Sequence, residues 1–153
     1  MRTIHHWIDG AGTAGGSTRV SPVFNPATGE QQAEVVLAET GDVDRAVAAA
    51  ALAFADWGDS SLSKRAKVLF AFREIVNRRQ DEIAAAITDE HGKVLSDAAG
   101  EVQRGLEVVE FACGIPTLLK GEYSDQVSAG VDSYSFRQPL GVVAGITPFN
   151  FPA

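Results

Sequence analysis

The feature that most constrains this chain is an unbroken apolar run, Leu140-Gly-Val-Val-Ala-Gly-Ile146, set between Pro139 and Thr147. Seven residues is strand length, and a strand apolar at every position needs cover on both faces, which is the condition of an inner strand in a parallel sheet. Only seven residues follow Ile146. One parallel strand is not a sheet, so the partner strands and crossover helices are expected outside these 153 residues. The expected class is α/β, with this segment as the first strand of an incomplete doubly wound sheet.

The sequence before it divides by period. Up to Leu37, short apolar pieces alternate with the turn signals Asp9-Gly10, Asn25-Pro26 and Thr28-Gly29, which predicts a small antiparallel β lead-in. From Gly41 the spacing becomes helical: Val43, Val47, Ala51 and Phe54 share one face of a helix running to about Trp57. Ser60, Ser61 and Ser63 are candidate caps for a second helix with the stripe Val68, Leu69, Phe72, Ile75 and Val76, continuing or bending near Gln80 toward Ile83 and Ile87 and closed by Gly92. A further helix aligns Val102, Leu106, Val109 and Cys113, until Gly114, Pro116 and Gly121 end it. Alternation returns at Val131 to Phe136. The expected organisation is residues 1–122 as β lead-in and helical part, 123–138 as a hairpin, and 139–153 as first strand and exit loop.

Composition narrows the function. With 13 basic against 20 acidic residues the formal charge is −7, and no basic stripe offsets it, which argues against a nucleic-acid partner. A lone cysteine excludes an internal disulfide framework, and the start, MRTIHHWIDG, lacks the apolar core of a secretory signal, so a cytoplasmic location is expected. No run is long enough to predict a membrane span.

Several signals have ordinary explanations. Gly10 to Ser17 has the glycine spacing of a phosphate loop but carries Gly16 where lysine is needed, and reads as a flexible turn. Cys113 sits on an apolar helix face, where cysteine behaves as a small hydrophobe. His5, His6 and His91 lack partners at ligand spacing, so no metal site is assigned. Lys64, Arg65 and Lys67 read as a solvated face, with a contribution to an anionic cofactor as the alternative.

In open α/β sheets ligands bind beyond the carboxyl ends of the strands, the address of Thr147 to Phe151. Pro148 and Pro152 stiffen the backbone around Phe149-Asn150-Phe151, so that a carboxamide is presented from a rigid loop. LGVVAG followed by ITPFNFP resembles the cofactor and oxyanion loop of the aldehyde dehydrogenase superfamily. WIDG, FNPATGE at 24–30 and GEVQRGLEVVEFACG at 100–114 follow that family's order over nearly the whole chain. Phe149, where many members have tryptophan, together with VDSYSFRQPLGVVAG, is similar to the CoA-acylating methylmalonate-semialdehyde dehydrogenase branch.

The resemblance implies an NAD-dependent enzyme that oxidises methylmalonate or malonate semialdehyde to propionyl-CoA or acetyl-CoA with loss of carbon dioxide. CoA is the implied co-substrate, and a homo-oligomer, tetramer or dimer, the implied assembly. Asn150 is then the side-chain donor to the developing oxyanion, against a turn-stabilising role as the plainer explanation. Thr147 and Phe149 are NAD contacts, against strand termination and core filling. Arg104 recognises the substrate carboxylate, against helical ion pairs with Glu101 and Glu107, each three residues away. The nucleophilic cysteine is expected beyond residue 153, so the chain alone is expected to be inactive, and residues 123–138 resemble the family's oligomerisation strands. Two alternatives stand beside this: a hydrolytic aldehyde dehydrogenase acting on another aldehyde, and a non-catalytic association module.

Overall fold

A computed structural model describes residues 1–153 and comprises seven short strands and five helices. The lead-in contains β1 (Arg2–Ile4), β2 (His6–Ile8), β3 (Ala11–Thr13), β4 (Val20–Phe24) and β5 (Gln31–Val36). It is not the single antiparallel sheet expected. β2 and β3 form a hairpin of their own, while β1, β5 and β4 make a mixed sheet with β5 in the middle, antiparallel to β4 but parallel to β1. A parallel pair needs a long connection, and the hairpin plus β4 supply it between β1 and β5. The turn signals located the reversals but carried no information on which strands would meet.

The Gly10–Ser17 stretch is not a free turn. It contributes β3, and the Gly16 N–H donates to Asp42 Oδ1 at 2.9 Å. Asp42 is buried in the first turn of α1 (Thr40–Trp57), accepts the Glu39 N–H at 2.9 Å and pairs with Arg45. One carboxylate thus caps the helix and holds the preceding loop to it.

α2 (Leu62–Arg78) begins at Ser61, whose hydroxyl accepts the Lys64 N–H at 3.2 Å, and ends at Arg79, where the chain bends into α3 (Gln80–His91). Gly92 closes α3 in the left-handed region at φ 84°, and a Cβ there would lie 2.7 Å from Pro26 Cγ, so only glycine lets the lead-in turn approach the helix end. α4 (Leu95–Ala112) packs against α2 and α3, and the single turn α5 (Ile115–Leu118) has Pro116 as its second residue, where its missing N–H costs nothing. Ala84 and Ile87 meet Ala98 and Val102 in a small core flanked by Val76 and Ile83, and Arg73 bridges α2 to Glu110 of α4. α1 does not join this bundle and packs mainly on β2.

β6 (Tyr123–Ser128) and β7 (Val131–Tyr134) form an antiparallel hairpin exposed at every residue. Its base closes on Gly121, where a Cβ would sit 1.8 Å from the Ser135 carbonyl oxygen. Residues 139–146 do not form a strand, in contrast to the expectation. No hydrogen bond joins residues 136–147 to any other part of the chain, because no strand among β1–β7 lies beside them to complete a ladder. Ala50, Ala53, Phe54 and Trp57 of α1 approach Gly141, Val142 and Val143 across a depression of about 300 Å³, while Leu140 and Ile146 are 95% and 100% exposed.

The bare ribbon is part of a wider pattern. A compact monomer of this mass would expose about 7,500 Å², whereas this chain exposes 11136 Å² and buries only 11 of its 153 residues. Much of its apolar surface is therefore of the kind that other protein covers. No helix is long and apolar enough to cross a membrane.

Candidate active site

α4 brings the candidate residues together. Its first turn follows Lys93 and Val94, so that Lys93 and Glu101 stand side by side at the end of the helix that faces the loop after the apolar ribbon. Glu101 adjoins the stripe made by Ala98 and Val102, and its side chain is only 2% exposed. A buried carboxylate demands partners, and it has two: the Lys93 ammonium, 13% exposed, and the Ala153 N–H at 2.9 Å. Burial is the largest single influence on the Glu101 carboxyl and by itself would raise its pKa; Lys93, the Ala153 N–H and the nearby His91 together outweigh it and hold the group below its ordinary value.

The loop is tied down at its far end only. Lys93 Nζ donates to the Asn150 carbonyl oxygen at 3.0 Å, and the Phe151 N–H reaches the Pro148 carbonyl at 3.3 Å. Lys93 Nζ and the Arg104 guanidinium carbon lie 5.0 Å and 5.7 Å from the Phe151 ring centroid, within cation–π range. The Asn150 side chain makes no hydrogen bond within the chain, so its carboxamide is not used to satisfy the turn it sits in.

Arg104 forms no ion pair with Glu101 or Glu107, because Glu101 is taken by Lys93 and the loop. It lines a cleft of about 260 Å³ with Lys93, Ser96, Asp97, Gly100 and Phe151, a setting with two cationic side chains and one acidic one. Thr147 and Phe149 are exposed, Phe149 at 89%, and Phe149 borders a shallow depression against Ile83 and Ile87 of α3. The structure therefore gathers Asn150 and Arg104 around Lys93 and Phe151, and leaves Thr147 apart from them.

Sequence alone gives no site role to Lys93, Glu101 or Phe151. The signal for Glu101 was present: a carboxylate three residues after Ala98 and beside Val102 falls at the margin of an apolar helical face. Cys113 is buried and unpaired, as its position on the α4 stripe predicted. In the Lys64–Arg65–Lys67 run, Lys64 and Lys67 are solvated, but Arg65 is half-buried and its Nε has no partner.

Residues 13–153 match the family model described as the aldehyde dehydrogenase family. The malonate-semialdehyde dehydrogenase of Pseudomonas aeruginosa is 48% identical over the whole chain, and malonate-semialdehyde dehydrogenase 1 of Geobacillus kaustophilus is 48% identical over 97% of it. The chain spans 31% and 30% of the length of these two relatives. A methylmalonate-semialdehyde dehydrogenase structure from Oceanimonas doudoroffii superimposes with a TM-score of 0.93 at 53% identity, covering 99% of this chain and 31% of that one. A structure described as a putative methylmalonate-semialdehyde dehydrogenase from Sinorhizobium meliloti, complexed with NAD, gives the same TM-score and coverage at 47% identity.

Proposed function

The chain belongs to the aldehyde dehydrogenase family, and from that premise we propose that it is the amino-terminal part of an NAD-dependent, CoA-acylating enzyme. The proposed substrates are methylmalonate and malonate semialdehyde, converted to propionyl-CoA and acetyl-CoA with loss of carbon dioxide. The observation that carries this reading is that Lys93 links two groups at the α4 end: it shares a cleft with Arg104, a guanidinium free of its helical carboxylates, and holds the main chain of Asn150, whose carboxamide is free of its own turn. Substrates with a carboxylate at one end and a reacting carbonyl at the other need those two functions near each other.

Each residue has a defined task. Asn150 donates its side-chain N–H to the carbonyl oxygen as negative charge builds there, and a neutral fixed donor suits a charge that exists mainly in the transition state. Arg104 offers paired donors to the carboxylate, while Lys93 beside it adds positive potential without competing for the same geometry. Thr147 and Phe149 fit a cofactor-contact role, since the Thr147 hydroxyl has no partner within the chain and the Phe149 ring is uncovered. NAD, when bound, supplies the hydride acceptor. Cys113 is buried, so the nucleophile that this chemistry requires is assigned to a cysteine outside these residues. Strand partners for residues 140–146 are assigned to the same remainder, and the protruding β6–β7 hairpin to contact between copies in a homo-oligomer.

The test is an assay of the full-length protein on methylmalonate and malonate semialdehyde with NAD, in the presence and absence of CoA. Acyl-CoA formation that requires CoA is the expected result. Equal turnover to a free acid without CoA would transfer the protein to a hydrolytic branch, and absence of NADH formation with any aldehyde would favour a non-catalytic role.

A further inference from the structure

The Lys93–Glu101 pair has a placement that stability alone does not explain. Two opposite charges have been withdrawn from water, and a buried ion pair is in general no more stabilising than well-packed apolar residues of the same volume. What distinguishes this pair is where its remaining hydrogen bonds go. Lys93 donates to the main-chain oxygen of Asn150 at 3.0 Å, and Glu101 accepts the main-chain N–H of Ala153 at 2.9 Å. Both bonds fall on one four-residue stretch, and the Phe151 ring between them faces Lys93 and Arg104. Upstream, residues 136–147 have no hydrogen bond to anything else, so this is the only polar attachment of the loop to the helices.

We propose that Lys93 and Glu101 are positioning residues for catalysis: they fix the main chain at Asn150 so that its carboxamide is aimed before substrate arrives, an inference that rests on Asn150 being the oxyanion donor. The physical basis is short-range. With its carbonyl held by Lys93, Asn150 has only two side-chain torsions between a fixed backbone and the donating nitrogen. A donor that must be reoriented during the reaction loses most of its value, because preorganisation is what makes oxyanion stabilisation effective. Glu101 acts one step further back, holding Lys93 by charge and the end of the loop by its second oxygen. Neither side chain is required to touch substrate.

The test is a double-mutant cycle in the full-length enzyme. Glu101→Gln keeps the shape but removes the charge that holds Lys93, and is expected to lower kcat about tenfold to a hundredfold while the dissociation constant for NAD stays within a factor of two or so. In an Asn150→Ala background the same Glu101→Gln change is expected to have no further effect on kcat, since the group it aims is gone. A purely structural role predicts equal losses in both backgrounds, and that result overturns the inference, as does an unchanged kcat for Glu101→Gln alone. Unchanged turnover in Asn150→Ala itself overturns the reading of the loop, and this inference with it. If Glu101→Gln does not yield folded enzyme, Lys93→Arg keeps the positive charge but displaces the donor from the Asn150 carbonyl, and the same comparison of backgrounds applies.

Discussion

The α3–α4 pair and the segment from Pro139 onward both carry apolar side chains that need cover, yet those side chains meet opposite fates. Ala84, Ile87, Ala98 and Val102 close on one another, whereas Leu140, Val143 and Ile146 stand in the open. The helices satisfy their backbone internally and need only one covered face, which a neighbouring helix supplies. A strand needs partners for its main chain as well as for two faces, and no part of these 153 residues provides them. Apolar sequence therefore states a demand, and only local connectivity decides whether the chain itself can meet it.

Five measurements can break or sharpen that contrast. Leu106→Ala removes a side chain that is 2% exposed on the closed side and is expected to destabilise the protein by about 2–5 kcal/mol, read from denaturant unfolding. A cost below ~0.5 kcal/mol would show that the helical core is not self-sufficient. On the open side, Asn150→Ala is expected to reduce turnover in the full-length enzyme by roughly 10²–10³ and to leave stability almost unchanged, because the carboxamide has no partner within the chain. Next in size is Arg104→Leu, for which kcat/KM on a carboxylate-bearing aldehyde should fall by about 10–100-fold with a plain aldehyde little affected. Equal losses on both aldehydes would reduce Arg104 to a packing role.

The fourth measurement concerns Glu101, where the two regions join. Its carboxyl titrates lower in the folded state than in an unfolded chain, so its contribution to stability is present above the ordinary carboxylate pKa and disappears as pH falls through the lowered folded value. Glu101→Gln is expected to flatten this acid limb, and an unchanged pH dependence of unfolding would mean that the ion pair is not maintained. The smallest effect belongs to Ile146→Ala in the 153-residue chain, expected within about 0.5 kcal/mol because the side chain is fully exposed. The same substitution in the full-length protein is expected to cost several-fold more if the ribbon is covered there.

The helices were legible from sequence because their signals are local. Val43 to Phe54, Ser61 as a cap and Gly92 as a stop each act within a turn or two of the chain, and the structure places α1, the α2 start and the α3 end accordingly. The pairing of β1 with β5 was not legible, since nothing in Arg2–Ile4 specifies a partner some thirty residues away. At the site, the proline-flanked Asn150 could be read from its loop and from the family resemblance, but its anchorage could not. Lys93 lies 57 residues before Asn150 and Glu101 lies 52 before Ala153, the main-chain positions they hold. Glu101 was weighed only as a neighbour of Arg104 on the same helix, and the fold uses it across helices and loop instead.

The uncovered ribbon also bears on how the protein is made. Between Leu140 and Ile146 there is neither a charge nor a proline, the composition that lets strands of separate molecules stack together. During synthesis it leaves the ribosome after the helices, at a few to about twenty residues per second, and stays adhesive for as long as it is uncovered. Yield in a producing cell should therefore respond to chaperone supply and to translation speed more than to the strength of the helical core.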